Sequence, residues 1–215
     1  MKTNICRRPE LEKKAAKLII RKVNQTLSKK SKVILGIPGG TSVKPIFKEI
    51  CKAKLNRKKI HIFLVDERLV PLTDKDSNYN IAKDYFLGTN LHFFDYQGSE
   101  KSYYSFLKKH GGKFDILLLS VGEDGHVASL FPNHSSIKNN STSYIRVTNS
   151  PKPPRNRISA SRKLLQKSKT AVLIFFRESK EKAYKDFTNP KLSVRQCPAK
   201  LVNKIKDTHV FHAFC

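Results

Sequence analysis

Three observations predict an α/β fold with a mainly parallel sheet covered on both faces. Short apolar runs recur along the 215 residues, and helical spacings separate several of them. No long linker, repeat or low-complexity stretch divides the chain, which reads as a single domain over residues 1–215. Apolar runs alternating with amphipathic stretches imply strands joined by crossover helices.

The elements follow in order. Leu11, Ala15, Leu18, Ile19, Val23 and Leu27 repeat at helical spacing, so residues 9–29 form a helix, with Pro9 in its first turn. "KVILGI" is a short buried strand and "PIFKEICK" a helix. "IHIFLV" is a second strand. "SNYNIAKDYFL" is a helix that Ser77 can cap. "FDILLLSV", "SYIRVT", "TAVLIFF" and "HVFHAF" supply four further strands, with helices in "SRKLLQKS" and "SKEKAYKDF". "NSPKPPRNR", residues 149–157, is too short for an interdomain linker and reads as an ordered loop.

Composition narrows the function classes. No stretch nears the roughly 18 continuous apolar residues of a membrane span, and "MKTNICRRPELEKK" lacks a signal-peptide core. A soluble, cytoplasmic monomer with no membrane partner is expected. Cys6, Cys51, Cys197 and Cys215 form no CxxC, which suggests neither a zinc site nor a disulfide framework. The histidines are dispersed, so no metal is expected. Lys plus Arg number 43 against 17 Asp plus Glu, a net charge of +26. The basic residues are scattered over outer helix faces without an RNA or zinc-finger motif, so a specific nucleic-acid partner is not expected. A basic, non-catalytic nucleic-acid binder is the weaker alternative.

In parallel sheets, ligands bind beyond the carboxyl ends of the strands, and four such places carry unusual residues. In "LGIPGGTSVKP", Gly39 and Gly40 permit close backbone approach, and Thr41 and Ser42 offer donors at a helix start, a pattern suited to phosphate. It is neither a Walker A loop nor GxGxxG. "FLVDERLVP" ends a strand with Asp66, Glu67 and Arg68, an ion-paired strand end or a site. Asn78, in the "SNYN" that follows, can cap a helix or bind ligand hydroxyls. "SVGEDGHVASLFP" places Asp124 and His126 between and beside glycines after the most apolar strand. There His126 can be a general base and Asp124 the carboxylate that orients it, against the commoner fate of a structural histidine. Lys180, in "RESKEKAY", can face the same sheet edge or be one more surface lysine.

Taken in order, "PGGTS", "VDERLVPLTDKDSNYN", "DILLLSVGEDGHVASLFP", "NSPKPPRNRIS" and "CPAKLV" resemble the 6-phosphogluconolactonases over about Leu35 to Val202. The resemblance implies a Rossmann-like three-layer sandwich of the sugar-phosphate isomerase type. It implies hydrolysis of 6-phospho-D-glucono-1,5-lactone, the second step of the oxidative pentose phosphate pathway, without metal or other cofactor. His126, Asp124, Asp66 and Arg68 become the catalytic candidates. Gly39, Gly40, Thr41, Arg68, Asn78, Arg157 and Lys180 become the substrate-binding candidates, with Arg68 able to serve phosphate or oxyanion. Two departures stand out: Pro38 where the family usually has Ser, and Arg177 where glycine is common. The glucosamine-6-phosphate deaminases share the paired glycines and the DGH, but they carry a glutamate five residues after the histidine. Phe131 stands there in this chain.

Overall fold

The computed structural model describes residues 2–5 and 8–214; Cys6 and Cys215 lie outside them. The chain runs β1 (Lys2–Ile5), α1 (Arg8–Leu27), β2 (Val33–Ile37), α2 (Lys44–Lys52), β3 (Ile60–Leu64), β4 (Asp66–Arg68) and α3 (Asn78–Ala82). It continues through β5 (Asn90–His92), α4 (Glu100–Lys109), β6 (Ile116–Ser120), α5 (Ser135–Lys138), β7 (Tyr144–Val147) and β8 (Arg157–Ala160). It ends with α6 (Arg162–Gln166), β9 (Thr170–Phe176), α7 (Glu181–Thr188) and β10 (Asp207–Ala213).

Seven strands form one sheet in the order β1-β10-β9-β6-β2-β3-β5, and every pairing in it is parallel. Both of its faces are buried, as continuous apolar strands require. Side-chain alternation sends Leu117, Leu119, Leu173 and Phe175 to one core, and Ile116, Leu118, Val172 and Ile174 to the other. Leu11, Ile19 and Phe47 of α1 and α2 cover the second core. Leu107, Leu164 and Phe187 of α4, α6 and α7 cover the first. The result is the expected three-layer sandwich.

Several elements differ from the sequence reading. "SYIRVT" is a strand, β7, but it belongs to a separate antiparallel sheet of order β4-β8-β7. Ile145 and Val147 make one dry face of this antiparallel strand, while on the other face Arg146 is exposed and Tyr144 is buried. The loop of residues 149–157 ends one residue early, because Arg157 opens β8. Strands β1 and β5 are short and polar, so neither shows periodicity. Helix α3 stops at Ala82, well short of "KDYFL". Helix α4 carries a legible cap, Ser99 accepting from the Ser102 amide, with buried Tyr103 and Leu107 one turn apart, and the sequence reading passes over it.

Among the described residues, no helix is long and apolar enough to cross a membrane. Cys51 and Cys197 are free thiols.

Candidate active site

An open cleft of about 170 Å³ lies over the carboxyl ends of β2 and β6. Pro38, Gly39, Gly40 and Ser42 line it after β2; Ser120, Val121, Gly122, His126 and Ala128 line it after β6. Asp66, Arg68, Asn78, Arg157 and Lys180 close the remaining sides. Nine of the ten sequence candidates thus serve one place: eight line the cleft, and the ninth, Asp124, holds His126 within it.

After β2 the chain passes through the paired glycines into a 3-10 turn, Thr41–Val43, and then α2. A Cβ at Gly39 would overlap the Asn78 side chain, so glycine here lets the second helix-capping loop seat against the first. Asn78 donates through Nδ2 to the Asp66 carbonyl at 2.8 Å, and its buried Oδ1 has no partner among the described residues. Ser77, its neighbour, caps α3 by accepting from the Asn80 amide.

Thr41 requires a correction. Its side chain is exposed outside the cleft, and its hydroxyl accepts from the Arg177 guanidinium at 2.7 Å. Ser42 holds the inward place: its Oγ lies 2.9 Å from that of Ser120, which also accepts from Lys180 Nζ at 3.1 Å. A 3-10 turn advances about 120° per residue, so only one of two adjacent hydroxyls can face in. Arg177 sits at φ 121, a region natural to glycine, which accounts for the family's preference there. That strained turn nevertheless delivers Lys180 to the cleft wall, 8% exposed.

The three charges of "DER" separate in role. Glu67 turns away from the cleft and is buried. Its carboxylate accepts from the amides of Arg68, Asn78 and Tyr79 at 2.7, 2.7 and 2.8 Å, so it seats the amino end of α3. Burial raises its pKa, and those amides oppose the rise. Asp66 lines the cleft, its Oδ2 accepting from Ser129 at 2.7 Å. Arg68 donates to the Asp76 carbonyl at 2.5 Å, while its Nε is buried and unpartnered among the described residues.

His126 and Asp124 meet directly: Nδ1 lies 2.5 Å from Oδ1. Burial pushes the Asp124 pKa up, but the hydrogen bond and charge of His126 outweigh it and hold the carboxyl at about 2. An ionised carboxylate only accepts, so Nδ1 donates and Nε2 keeps the basic lone pair. Gly122 is needed because a Cβ there would collide with the imidazole. Phe131 packs against the ring at 4.7 Å between centroids, in the place where the deaminase pattern puts its glutamate.

Three cations border the cleft without a carboxylate within ion-pair distance among the described residues: Arg68, Arg157 and Lys180. Arg157 is 4% exposed, donates to the carbonyls of Lys152, Pro153 and Pro154, and stands 5.5 Å over the Phe131 ring. It thereby orders the proline-rich loop. Burial, aided by the charge of Arg177, lowers the Lys180 pKa to about 8. Desolvated cations without counter-ions favour an anionic ligand. Ser120 and Ser129 are site residues that the sequence reading missed, and it named Ser42 only beside Thr41 and Phe131 only for the glutamate it replaces. Ser120 at a strand's carboxyl end was the accessible clue.

A family profile described as glucosamine-6-phosphate isomerases/6-phosphogluconolactonase matches residues 7–211. A 6-phosphogluconolactonase of Borreliella burgdorferi is 34% identical over 196 residues, covering 84% of this chain and 83% of its own. A probable 6-phosphogluconolactonase of Dictyostelium discoideum is 26% identical over 219 residues, covering 94% and 92%. The crystal structure of 6-phosphogluconolactonase from Thermotoga maritima superposes with a TM-score of 0.86 at 22% identity, over 100% of this chain and 99% of that one. At that identity the superposition establishes the shared fold.

Proposed function

The chain belongs to the glucosamine-6-phosphate isomerase/6-phosphogluconolactonase family, and on that footing we propose that it hydrolyses 6-phospho-D-glucono-1,5-lactone with water activated by His126. The observation that carries this reading is an imidazole held by an ionised carboxylate inside a cleft bordered by three unpaired cations. A δ-lactone needs a base and an anion clamp, and no covalent nucleophile.

Asp124 accepts the Nδ1 proton and fixes the ring. Nε2 takes a proton from water as its oxygen attacks C1, and the carbonyl electrons move onto oxygen. Collapse of that oxyanion breaks the C1–ring oxygen bond, and the imidazolium returns its proton to the leaving oxygen, giving 6-phospho-D-gluconate. Lys180, Arg68 and the Gly39–Gly40–Ser42 loop hold the phosphate. Arg157 packs on the same Phe131 ring as His126 and lines the same cleft, suited to the oxyanion. Asp66 Oδ1 and Asn78 Oδ1 are acceptors for ring hydroxyls. Phe131 leaves the deaminase reaction without its carboxylate. In this reading the enzyme is a cytoplasmic monomer of the oxidative pentose phosphate pathway, and its charge binds nucleic acid only non-specifically, weakening steeply with salt.

The test compares kcat/KM for the phosphorylated and unphosphorylated lactones, with spontaneous hydrolysis subtracted. Losing two charge-assisted contacts should slow the unphosphorylated lactone by roughly 100-fold or more. Similar values for the two would reject the cation cluster as a phosphate site.

A further inference from the structure

The expectation of dispersed histidines fails at the far edge of the sheet. His61 on β3, His92 on β5 and His110, the residue capping the carboxyl end of α4, converge there, and one ring nitrogen from each lies within 4.8 Å of the others. His61 Nδ1 is 3.0 Å from His92 Nε2, and the His61 and His110 rings are 4.2 Å apart. All three are half-buried. We propose that His61, His92 and His110 form a binding site for one zinc ion or a similar borderline divalent transition metal, separate from the cleft.

Donor chemistry selects the metal. Three imidazoles with no carboxylate suit zinc, cobalt, nickel or copper and do not suit calcium or magnesium. Tetrahedral zinc needs its nitrogens roughly 3.3 Å apart, given Zn–N bonds of about 2.0–2.1 Å. His61 and His92 stand 3.0 Å apart, close to that separation. His110 has only to swing inward, and it precedes Gly111 and Gly112, both at positive φ. Water takes the fourth position.

The surroundings are prepared for such an ion. Phe63 packs on His92 at 4.4 Å, and Phe106 packs edge-on against His92 and His110. Tyr103 on α4 already stitches the strands, its hydroxyl accepting from the Leu64 amide and donating to the His92 carbonyl. The strands that carry His61 and His92 are therefore tied together before any ion arrives. Burial lowers the pKa of all three rings. In the His61–His92 contact one nitrogen carries a proton, and zinc would shift it to that ring's other nitrogen, without net proton loss.

One residue competes. Lys32 Nζ lies 3.1 Å from His110 Nδ1, and an ammonium can only donate, so Lys32 holds the lone pair that zinc would use. Removing this cation should strengthen metal binding.

The experiment titrates ZnCl₂ into untagged full-length protein by calorimetry and follows Co²⁺ by its visible absorption. One equivalent should bind, with tetrahedral cobalt bands, and zinc should raise the melting temperature. His92→Gln and His110→Gln should each weaken binding by more than the roughly 10- to 100-fold cost of losing an outer-shell partner. Lys32→Gln should tighten it by roughly tenfold, through lost charge repulsion. Lactone hydrolysis should be unchanged in all three. Absence of saturable binding, or equal affinity in wild type and both histidine variants, would overturn the site. Should a histidine variant fail to fold, Lys32→Gln decides: unchanged or weaker zinc affinity counts against it.

Discussion

Two aspartate–histidine pairs of identical spacing occur in this chain, and they have opposite surroundings. Asp124 and His126 meet at 2.5 Å, Asp207 and His209 at 2.9 Å. Both carboxyls sit at about 2: in each, burial pushes up, and hydrogen bonds to His126 in one case and to Lys22, Thr170 and His209 in the other prevail. The first pair follows the carboxyl end of β6 and lines an open cleft. The second opens β10 at its amino end, where Asp207 also holds Lys22 and Thr170 at 2.7 Å each. In the first the carboxylate takes Nδ1 and leaves Nε2; in the second it takes Nε2 itself. An Asp-x-His pair is therefore a component, and its place on the sheet together with the nitrogen left free decides its use.

The largest test of that contrast is His126→Asn, which keeps size and polarity and removes the base. Folded protein should lose kcat by roughly 100- to 10,000-fold, the range for acid–base catalysis. His209→Asn should leave kcat within experimental error. Near-normal kcat in His126→Asn would make that histidine structural and turn the search for the base to Asp66 and Asp124.

The cleft also differs from the β10 pair in its unpaired cations. Lys180→Met should lower kcat/KM for the phosphorylated lactone by roughly 10- to 100-fold, the weight of one charge-assisted hydrogen bond. The unphosphorylated lactone should react as before. An equal loss on both lactones would move Lys180 from phosphate binding to support of the loop.

Asp124→Asn should cost less than His126→Asn, about 10- to 100-fold in kcat, because the base remains and only its orienting charge is lost. A loss matching that of His126→Asn would show that without the carboxylate the ring adopts the wrong tautomer.

How far the sequence reveals this contrast depends on the range of the signal. The buried strands β2, β3, β6 and β9 are legible because continuous apolar runs are local, and the cleft is legible because its residues follow strand ends. Asp124–His126 stands out through its glycines, and Asp207–His209 hides inside a strand pattern. Signals that need the third dimension escape. Ser42 and Thr41 are equivalent until the 3-10 turn chooses between them, and β8 is masked by the prolines before Arg157. His61, His92 and His110 look dispersed because parallel pairing of β3 with β5, and the return of α4, bring together residues far apart in sequence.

The smallest expected effect isolates the second pair. Asp207→Asn removes a charge that ties α1, β9 and β10 through Lys22, Thr170 and His209. Partial exposure screens these contacts, so the loss should be about 1–2 kcal/mol of stability, or roughly 3–6 °C in Tm. Its pH dependence follows from the depressed carboxyl. A group held at about 2 against an ordinary 3.8 contributes fully above the higher value and loses that contribution as pH falls through the lower one. Urea midpoints of wild type and Asp207→Asn should therefore differ at pH 5 and converge toward pH 2. Activity at pH 7 should be unchanged at temperatures where both proteins are folded. A tenfold fall in kcat/KM with an unshifted Tm would mean that the two pairs are coupled, and that position on the sheet does not separate their roles.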